Sequence, residues 1–99
     1  MSKYRRAAKI DENQPGIVED LRKIGFSVEV SHDDLLVGAY GRTFWYEIKT
    51  EDCRSKKTGD ILESAKKDTQ IELEKSWQGH YLIVTSTEEI LADIKAQLV

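Results

Sequence analysis

An acid and a lysine stand two residues apart at the end of an apolar stretch, and in this 99-residue chain they are the side chains best suited to chemistry. The stretch reads Thr-Phe-Trp-Tyr-Glu-Ile-Lys over positions 43–49, and its aromatic and β-branched residues predict a buried strand. Side chains alternate along a strand, so Glu47 and Lys49 share one face with Trp45. Because an isolated buried charge is very costly, the pair must be solvated, ion-paired or bound to a metal.

A second apolar run, over positions 34–40, precedes this strand and supplies another carboxylate. Gly41 and Arg42 link the two runs as a two-residue loop with glycine first, which favours a type II′ β-hairpin. In that register Tyr40 faces Thr43, and position 34 faces position 49. The loop therefore predicts which side chains of the two strands share a face.

Three charged side chains converge in that register. Asp34, Glu47 and Lys49 lie on one face of the sheet, with diagonal neighbours about 7 Å apart or less. Two carboxylates at this separation can share one hard cation, and the lysine can hold a water molecule or stabilise a developing charge. A surface ion pair at a strand end is the alternative for a bare acid-x-lysine sequence, but the register and the apolar flanks favour the shared site.

This arrangement resembles the PD-(D/E)xK nuclease superfamily. The resemblance implies that Asp34, Glu47 and the backbone carbonyl of Ile48 hold Mg²⁺ or Mn²⁺. It also implies that water attacks a phosphodiester in line, with Lys49 positioning that water or stabilising the transition state.

Composition predicts one globular domain over residues 1–99, since 39% of the residues are apolar and 33% are charged. No apolar run approaches the length of a membrane span, and the basic N-terminus lacks the apolar segment of a signal peptide. Cys53 is the single cysteine, so neither a disulfide nor a zinc cluster is expected. We therefore expect a cytoplasmic protein without a membrane partner.

The net charge of −3 disfavours general coating of nucleic acid, so the distribution of basic residues matters more than their sum. Residues 1–9 form a basic stretch that we expect to be a flexible tail. Two further clusters flank the acid site in sequence and are candidate DNA-binding residues, although lysine favours any solvated surface. These clusters comprise Arg54, Lys56, Lys57, Lys66 and Lys67, while the tail carries Lys3, Arg5, Arg6 and Lys9.

The predicted elements follow the order helix, three strands, helix, strand, helix. The first helix begins after Asn13, a good N-cap, and ends at Gly25. The second begins at Asp60 or later, near Asp68, and the last begins at Thr87. A polar, basic loop before the second helix suits substrate contacts. The strands are predicted at 26–30, 34–40, 43–49 and 80–85, the loop at 50–58, and the end of the second helix around 78–79.

Over roughly residues 11–92 the chain resembles the VRR-NUC family of that superfamily, in particular its small standalone phage and prophage members. The joint order of several short motifs carries this resemblance and is more specific than any one of them. It implies an α/β fold with a restriction-endonuclease-like αβββαβ core, a mixed central sheet and a C-terminal helix. The matching positions are Asn13-Gln14, Ile17-Val18, Leu21-Arg22, Asp34 to Gly38, Gly41-Arg42, Glu47 with Lys49, Gln70, Trp77 and Gly79.

The resemblance also implies a function. Small standalone members are structure-selective DNA endonucleases that form homodimers and cut four-way, Holliday-type junctions, so branched DNA and a second copy are the expected partners. A second active site related by two-fold symmetry would let a short chain cleave two strands. Gln70 takes the family role of orienting the site through hydrogen bonds. The expected setting is the cytoplasm of a bacterial or phage-infected cell.

Two positions depart from the family pattern. Relatives carry a proline just before the first metal-binding aspartate, whereas this chain has Asp33 there, so Asp33 is an alternative to Asp34. The family also places an acid or an amide on the first helix near the metal. Glu12 is the nearest acid, with Asp11 and Glu19 as alternatives, and a role beside the helix dipole fits Glu12 equally well.

Two other conspicuous side chains are assigned no catalytic role. His32 precedes a strand and is expected to be solvated or capping, and Trp45 is predicted to pack in the core rather than to stack on a base. Two further functions stay open beside the nuclease. A non-catalytic DNA-binding module would bind DNA without metal-dependent cleavage, and a structural α/β adaptor would do neither.

Overall fold

The computed structural model describes residues 12–32 and 34–99. In these ranges the chain forms helices and strands in the order αβββαβα, as the sequence predicted. None of the described helices combines the length and the apolar character needed to cross a lipid bilayer. The helices are α1 (Gln14–Ile24), α2 (Asp68–Ser76) and α3 (Thr87–Gln97), and the strands are β1 (Ser27–Ser31), β2 (Asp34–Ala39), β3 (Arg42–Ile48) and β4 (Tyr81–Val84).

The four strands form one sheet in the order β1-β2-β3-β4. The first two pairings are antiparallel, while β3 and β4 are parallel. A parallel pair needs a crossover connection, and α2 lies in the segment that joins β3 to β4. The fold is therefore α/β with a mixed sheet and a C-terminal helix, which confirms the coarse class predicted from the sequence.

The hairpin between β2 and β3 differs from the predicted one. Ala39 pairs with Arg42, so the turn residues are Tyr40 and Gly41. Both have positive φ, 56° and 77°, as a type I′ turn requires. This conformation is unfavourable for Tyr40 by itself, but its ring packs edge-on against Phe26 with centroids 5.8 Å apart. The predicted type II′ loop at Gly41 and Arg42 was wrong.

The new register moves each pairing by two residues and leaves the faces unchanged. Asp34 pairs with Glu47 and Leu36 with Trp45, whereas the predicted register placed Asp34 opposite Lys49. Because side chains alternate with a period of two, a shift of two residues keeps every side chain on its face. Asp34, Glu47 and Lys49 therefore still share one face of the sheet.

The opposite face of the sheet carries the hydrophobic core. Phe44, Tyr46 and Ile48 of β3 point to it and are fully buried. Helices α1 and α3 cover this face with apolar residues at helical spacing. The core residues from the helices are Ile17, Val18, Leu21, Ile90 and Ile94, and those from the other strands are Val28, Leu35, Val37, Ala39 and Val84.

The second helix begins at Asp68, the later of its two predicted starts. Between β3 and α2 the chain forms two short 3₁₀ turns, Glu51–Cys53 and Glu63–Ala65. Asp60, the alternative helix start, lies in the irregular segment between these turns. The long connection therefore begins at the end of the buried strand and contains no α-helix before α2.

Candidate functional site

The candidate site lies where β2 begins and β3 ends. Asp34 is the first residue of β2 and pairs directly with Glu47, which corresponds to β-carbons about 4.5–5.5 Å apart. Lys49 lies two residues further on, about 6.6 Å along the strand. The Lys49 N–H donates to the Val84 carbonyl at 2.9 Å and so extends the pairing of β3 with β4 by one residue. The backbone thus holds Lys49 on the same face as Glu47.

The two charged residues at this strand end are buried. Glu47 is 2% exposed and Lys49 is 8% exposed, although charged side chains are seldom buried this deeply. Asp34 is half-buried. In the part of the chain that the structure describes, no ion pair involves the Lys49 ammonium group. Such departures from ordinary strand patterning are typical of functional sites.

Asn13 fastens the start of α1 to these strand ends. Its side-chain amide donates to the carbonyls of Lys49 and Thr85, at 3.0 and 2.7 Å. Asn13 occupies the predicted N-cap position, but its side chain makes no capping hydrogen bond. The capping role predicted for this side chain was wrong, because its amide group bonds across to the strand ends instead.

Gln14 is a buried amide to which the sequence motif assigned no separate role. It is 2% exposed, and its side-chain N–H donates to the His32 carbonyl at 2.6 Å. Gln14 thereby links α1 to the turn between β1 and β2, where Asp33 lies outside the described residues. Among those residues its side-chain oxygen has no hydrogen-bond partner.

Trp45 bonds directly to the first carboxylate of the site. Its indole N–H donates to Asp34 Oδ2 at 3.2 Å. Its ring meets Trp77 and Tyr81 edge-on, with centroids 5.1 and 4.9 Å away. The predicted packing of Trp45 in the core was wrong, because strand alternation places it on the face opposite the core. It belongs instead to an aromatic cluster beside the acids.

An open groove of about 620 Å³ lies beside Asp34, and we call it the Trp77 groove. Leu36, Trp45 and Trp77 supply apolar lining, and Glu29 and Asp34 supply carboxylates. Trp77 is 51% exposed and Leu36 is 46% exposed. Large apolar side chains exposed next to one another often mark a place where a ligand or partner binds.

Gly79 permits the position of the Trp77 ring. A β-carbon built on Gly79 would lie 2.8 Å from Trp77 Nε1, closer than side chains approach one another. The indole therefore lies close to Gly79, and it also meets the Trp45 ring edge-on. Trp77 and Gly79, which belong to the motif that matches the family, thus lie next to each other in the fold.

Gln70 lies at the start of α2 and has a structural partner there. It is 4% exposed, and its side-chain oxygen accepts a hydrogen bond from the Lys67 N–H at 2.9 Å. This bond is one half of a capping box and satisfies a backbone donor at the helix start. This hydrogen bond uses the amide oxygen of Gln70. If Gln70 also orients the site, it must do so through its amide N–H groups. That predicted role stays a prediction.

Two of the predicted DNA-binding residues are engaged within the molecule. The Arg54 guanidinium bonds to Glu89 at 2.5 Å and to the Gly59 carbonyl at 2.6 Å, and the bond to Glu89 raises the pKa of Arg54. Lys66 bonds to Glu74 at 2.8 Å, which raises the pKa of Lys66. These contacts attach the segment between β3 and α2 to α3 and to α2 itself. The predicted DNA-binding residues that are exposed are Lys56, Lys57 and Lys67.

The described ranges contain no group of three or more His, Cys, Asp or Glu side chains placed to hold a metal. Glu12 and Glu19 are exposed and add no third carboxylate to Asp34 and Glu47. Two carboxylates and the Ile48 carbonyl nevertheless fit Mg²⁺ or Mn²⁺ by donor chemistry, since these cations prefer oxygen. Predicted residues that lie outside the described part are Lys3, Arg5, Arg6, Lys9, Asp11 and Asp33.

Comparison of the chain with protein-family models, with curated proteins and with solved structures found no match. The resemblance to VRR-NUC nucleases therefore depends on the order and spacing of the sequence motifs.

Proposed function

We propose that this protein is a metal-dependent endodeoxyribonuclease with a restriction-endonuclease-like core. The observation that carries the proposal is the direct pairing of Asp34 with Glu47 beside the buried Lys49. Hydrolysis of a phosphodiester benefits from an oxygen-rich site for a divalent cation and from positive charge near the phosphoryl oxygens. These three side chains can provide both.

Asp34, Glu47 and the Ile48 carbonyl are the proposed ligands of Mg²⁺ or Mn²⁺. When bound, the cation supplies an acidified water molecule and offsets charge on the phosphate. Lys49 is nearly buried, so its ammonium group attracts a phosphoryl oxygen more strongly than it would in bulk water. In the proposed mechanism Lys49 positions the attacking water or stabilises the transition state.

Two neighbouring side chains have positioning roles in this mechanism. The Trp45 N–H orients the Asp34 carboxylate through their hydrogen bond. Asn13 holds the carbonyl of Lys49 and so limits movement of the backbone that carries the lysine. Groups that orient metal ligands in this way commonly contribute about 10- to 100-fold in metal affinity or activity.

We further propose branched DNA as the substrate and a two-fold homodimer as the active form. The support is the family resemblance together with size, because a 99-residue domain has room for one phosphodiester site while symmetric cutting of a junction needs two. The proposed phosphate contacts are the exposed lysines Lys56, Lys57 and Lys67.

The test is a cleavage assay with Mg²⁺ and with Mn²⁺ on linear duplex, flap and four-way junction DNA. We expect metal-dependent cleavage by the wild type and a loss of more than about 100-fold in Glu47→Gln and in Lys49→Met. Matched controls are Glu88→Gln and Lys75→Met, which remove the same charges at exposed positions and should cleave at the wild-type rate.

The same experiment separates the other functions. Retention of DNA without cleavage in either metal would favour a non-catalytic binding module, and absence of both would favour a structural adaptor. Calorimetry with Mn²⁺ assigns the first ligand, since Asp34→Ala should lose affinity for the ion. Equal affinity in the wild type and in Asp34→Ala would make Asp33 the candidate ligand.

A further inference from the structure

We infer that the Trp77 groove receives an unpaired nucleobase of the DNA substrate, stacked on Trp77 beside the predicted metal ligands. The inference rests on the proposed nuclease function and identifies the feature of the substrate that the site selects. It implies that DNA is recognised where a base can leave its helix, next to the phosphate that is cut.

The aromatic lining of the groove suits a base. Trp77 is half-exposed, and its indole lies close to Gly79 and meets the Trp45 ring edge-on. A ring whose movement is limited by neighbours loses less conformational freedom when a flat ligand stacks on it. Stacking of bases on such rings is a general means of binding single-stranded nucleic acid.

The charges of the groove select a base over the DNA backbone. Glu29 and Asp34 contribute carboxylates, and none of the described residues that line the groove is Lys, Arg or His. A phosphate would be repelled there, whereas a base is uncharged. The Glu29 carboxylate, which is not one of the proposed metal ligands, can accept hydrogen bonds from the exocyclic amino groups of adenine, cytosine and guanine, which thymine lacks. The groove is therefore complementary to a base that carries an amino group.

The position of the groove connects this base to the reaction. Trp45 lines the groove, meets the Trp77 ring edge-on and donates to Asp34, so the stacking ring is one residue away from the first carboxylate. The volume of about 620 Å³ lies in the usual range for small-ligand sites. Bases within a duplex cannot enter it without being unstacked, so the groove favours DNA that is already unpaired.

The test uses the wild-type chain and a single strand of about ten nucleotides with one central 2-aminopurine. This fluorescent base carries an amino group, and its emission falls when it stacks. Measurements are made with EDTA so that metal-dependent cleavage cannot occur. We expect quenching by the wild type, weaker binding by about 5- to 150-fold in Trp77→Ala, and near wild-type binding in Trp77→Phe.

Two further variants separate stacking from other effects. Gly79→Ala keeps the indole but pushes it aside, because the added carbon lies 2.8 Å from Trp77 Nε1, and should also weaken binding. Tyr40→Ser removes an aromatic side chain that is 69% exposed at the other end of β2 and should bind like the wild type. Glu29→Ala should reduce the preference for cytosine over thymine at the central position.

Three results would overturn the inference. The first is equal affinity of the protein for the strand and for a version of it that lacks the central base. The second is an equal loss of affinity for single-stranded and for duplex DNA in Trp77→Ala. The third is a Trp77→Ala variant whose mass in light scattering changes while its affinity for the base does not. The last result would make the groove a contact between copies of the chain. Base quenching that persists in a protein unable to cleave with Mn²⁺ would instead support the groove and reject the nuclease proposal.

Discussion

The pairing of Asp34 with Glu47 is unusual for a strand pair in a folded chain. Carboxylates directly opposite one another on a sheet repel, and the burial of Glu47 adds a desolvation cost. The Trp45 N–H offsets part of this cost by its bond to Asp34 at 3.2 Å. A divalent cation would relieve the repulsion. A role of the two acids in binding a cation would explain why they occupy this unfavourable arrangement.

Gln70 tests whether one side chain both caps a helix and orients the site. In Gln70→Ala the Lys67 N–H loses its acceptor, and we expect a loss of about 1 kcal/mol in the free energy of unfolding. Gln70→Glu keeps an acceptor but has no amide N–H. If those N–H groups orient the site, Gln70→Glu should cleave about 10- to 100-fold more slowly, and denaturant unfolding measures separately the cost of burying the added charge. Wild-type single-turnover rates in both variants would leave Gln70 with the capping role alone.

The sequence could predict the faces of residues better than their partners. Alternation along β3 is local, so it correctly placed Glu47 and Lys49 on one face. The bond from Asn13 to the Thr85 carbonyl joins residues 72 positions apart, and no local pattern selects that partner. The engagement of Arg54 by Glu89, 35 positions away, was unpredictable for the same reason. Contacts of this kind depend on how the elements pack.

At the scale of elements, the hairpin shows why register is harder to predict than element order. Both two-residue loops that fit the sequence, at positions 40–41 and at 41–42, keep the same side chains on the same faces. The observed turn requires Tyr40 in a left-handed conformation, which is accompanied by its contact with Phe26. Phe26 lies between α1 and β1, outside the hairpin. The sequence of the hairpin alone therefore could not predict this contact.

The attachment of α1 to the strand ends gives a second prediction. Asn13→Ala removes two donors and leaves the Lys49 and Thr85 carbonyls without them, at a cost of about 1–3 kcal/mol. Asn13→Asp is the matched control, because aspartate is as good an N-cap as asparagine but cannot donate. We expect Asn13→Asp to be destabilised as well in urea unfolding. Recovery of wild-type stability by Asn13→Asp would show that helix capping, and not the link to the strands, is what Asn13 contributes.

The core face contains a polar cluster that ties β3 to α3. The Tyr46 hydroxyl donates to Asp93 Oδ2 at 2.7 Å, and His80 Nε2 lies 2.6 Å from the same oxygen. Burial of the phenol raises the pKa of Tyr46, and the hydrogen bond and negative charge of Asp93 raise it further. The folded state therefore holds this proton more tightly than the unfolded chain does.

This cluster predicts a dependence of stability on alkaline pH. Since the pKa of Tyr46 is raised on folding, its contribution is complete below about pH 10, the ordinary tyrosine value, and declines as the pH rises above it. Tyr46→Phe should lose about 1 kcal/mol at neutral pH and show a shallower decline above pH 10 than the wild type. Urea unfolding at a series of pH values measures both. Parallel curves for the two proteins would contradict the assignment.

At the scale of the whole molecule, the charge balance limits how DNA would bind to the proposed nuclease. The chain carries a net charge of −3, and Arg54 and Lys66 are engaged by internal carboxylates. In the proposed nuclease, unspecific attraction to phosphate would therefore be weak, and affinity for DNA would come from exposed lysines, a bound cation and shape. A protein with this balance is better suited to a distorted or unpaired DNA structure than to coating a duplex.

The last prediction is a functional two-fold homodimer, because symmetric cutting of a four-way junction needs two active sites. Light scattering at micromolar concentration should give about twice the 11.3 kDa mass of the chain. In a mixture of wild type with excess Glu47→Ala, most wild-type chains would pair with an inactive one, so four-way junctions should be nicked on one strand only. A monomeric mass that persists with junction bound, together with paired cuts in the mixture, would exclude the dimer. The site of Asp34, Glu47 and Lys49 would be unaffected by that result, because each copy of the chain contains all three.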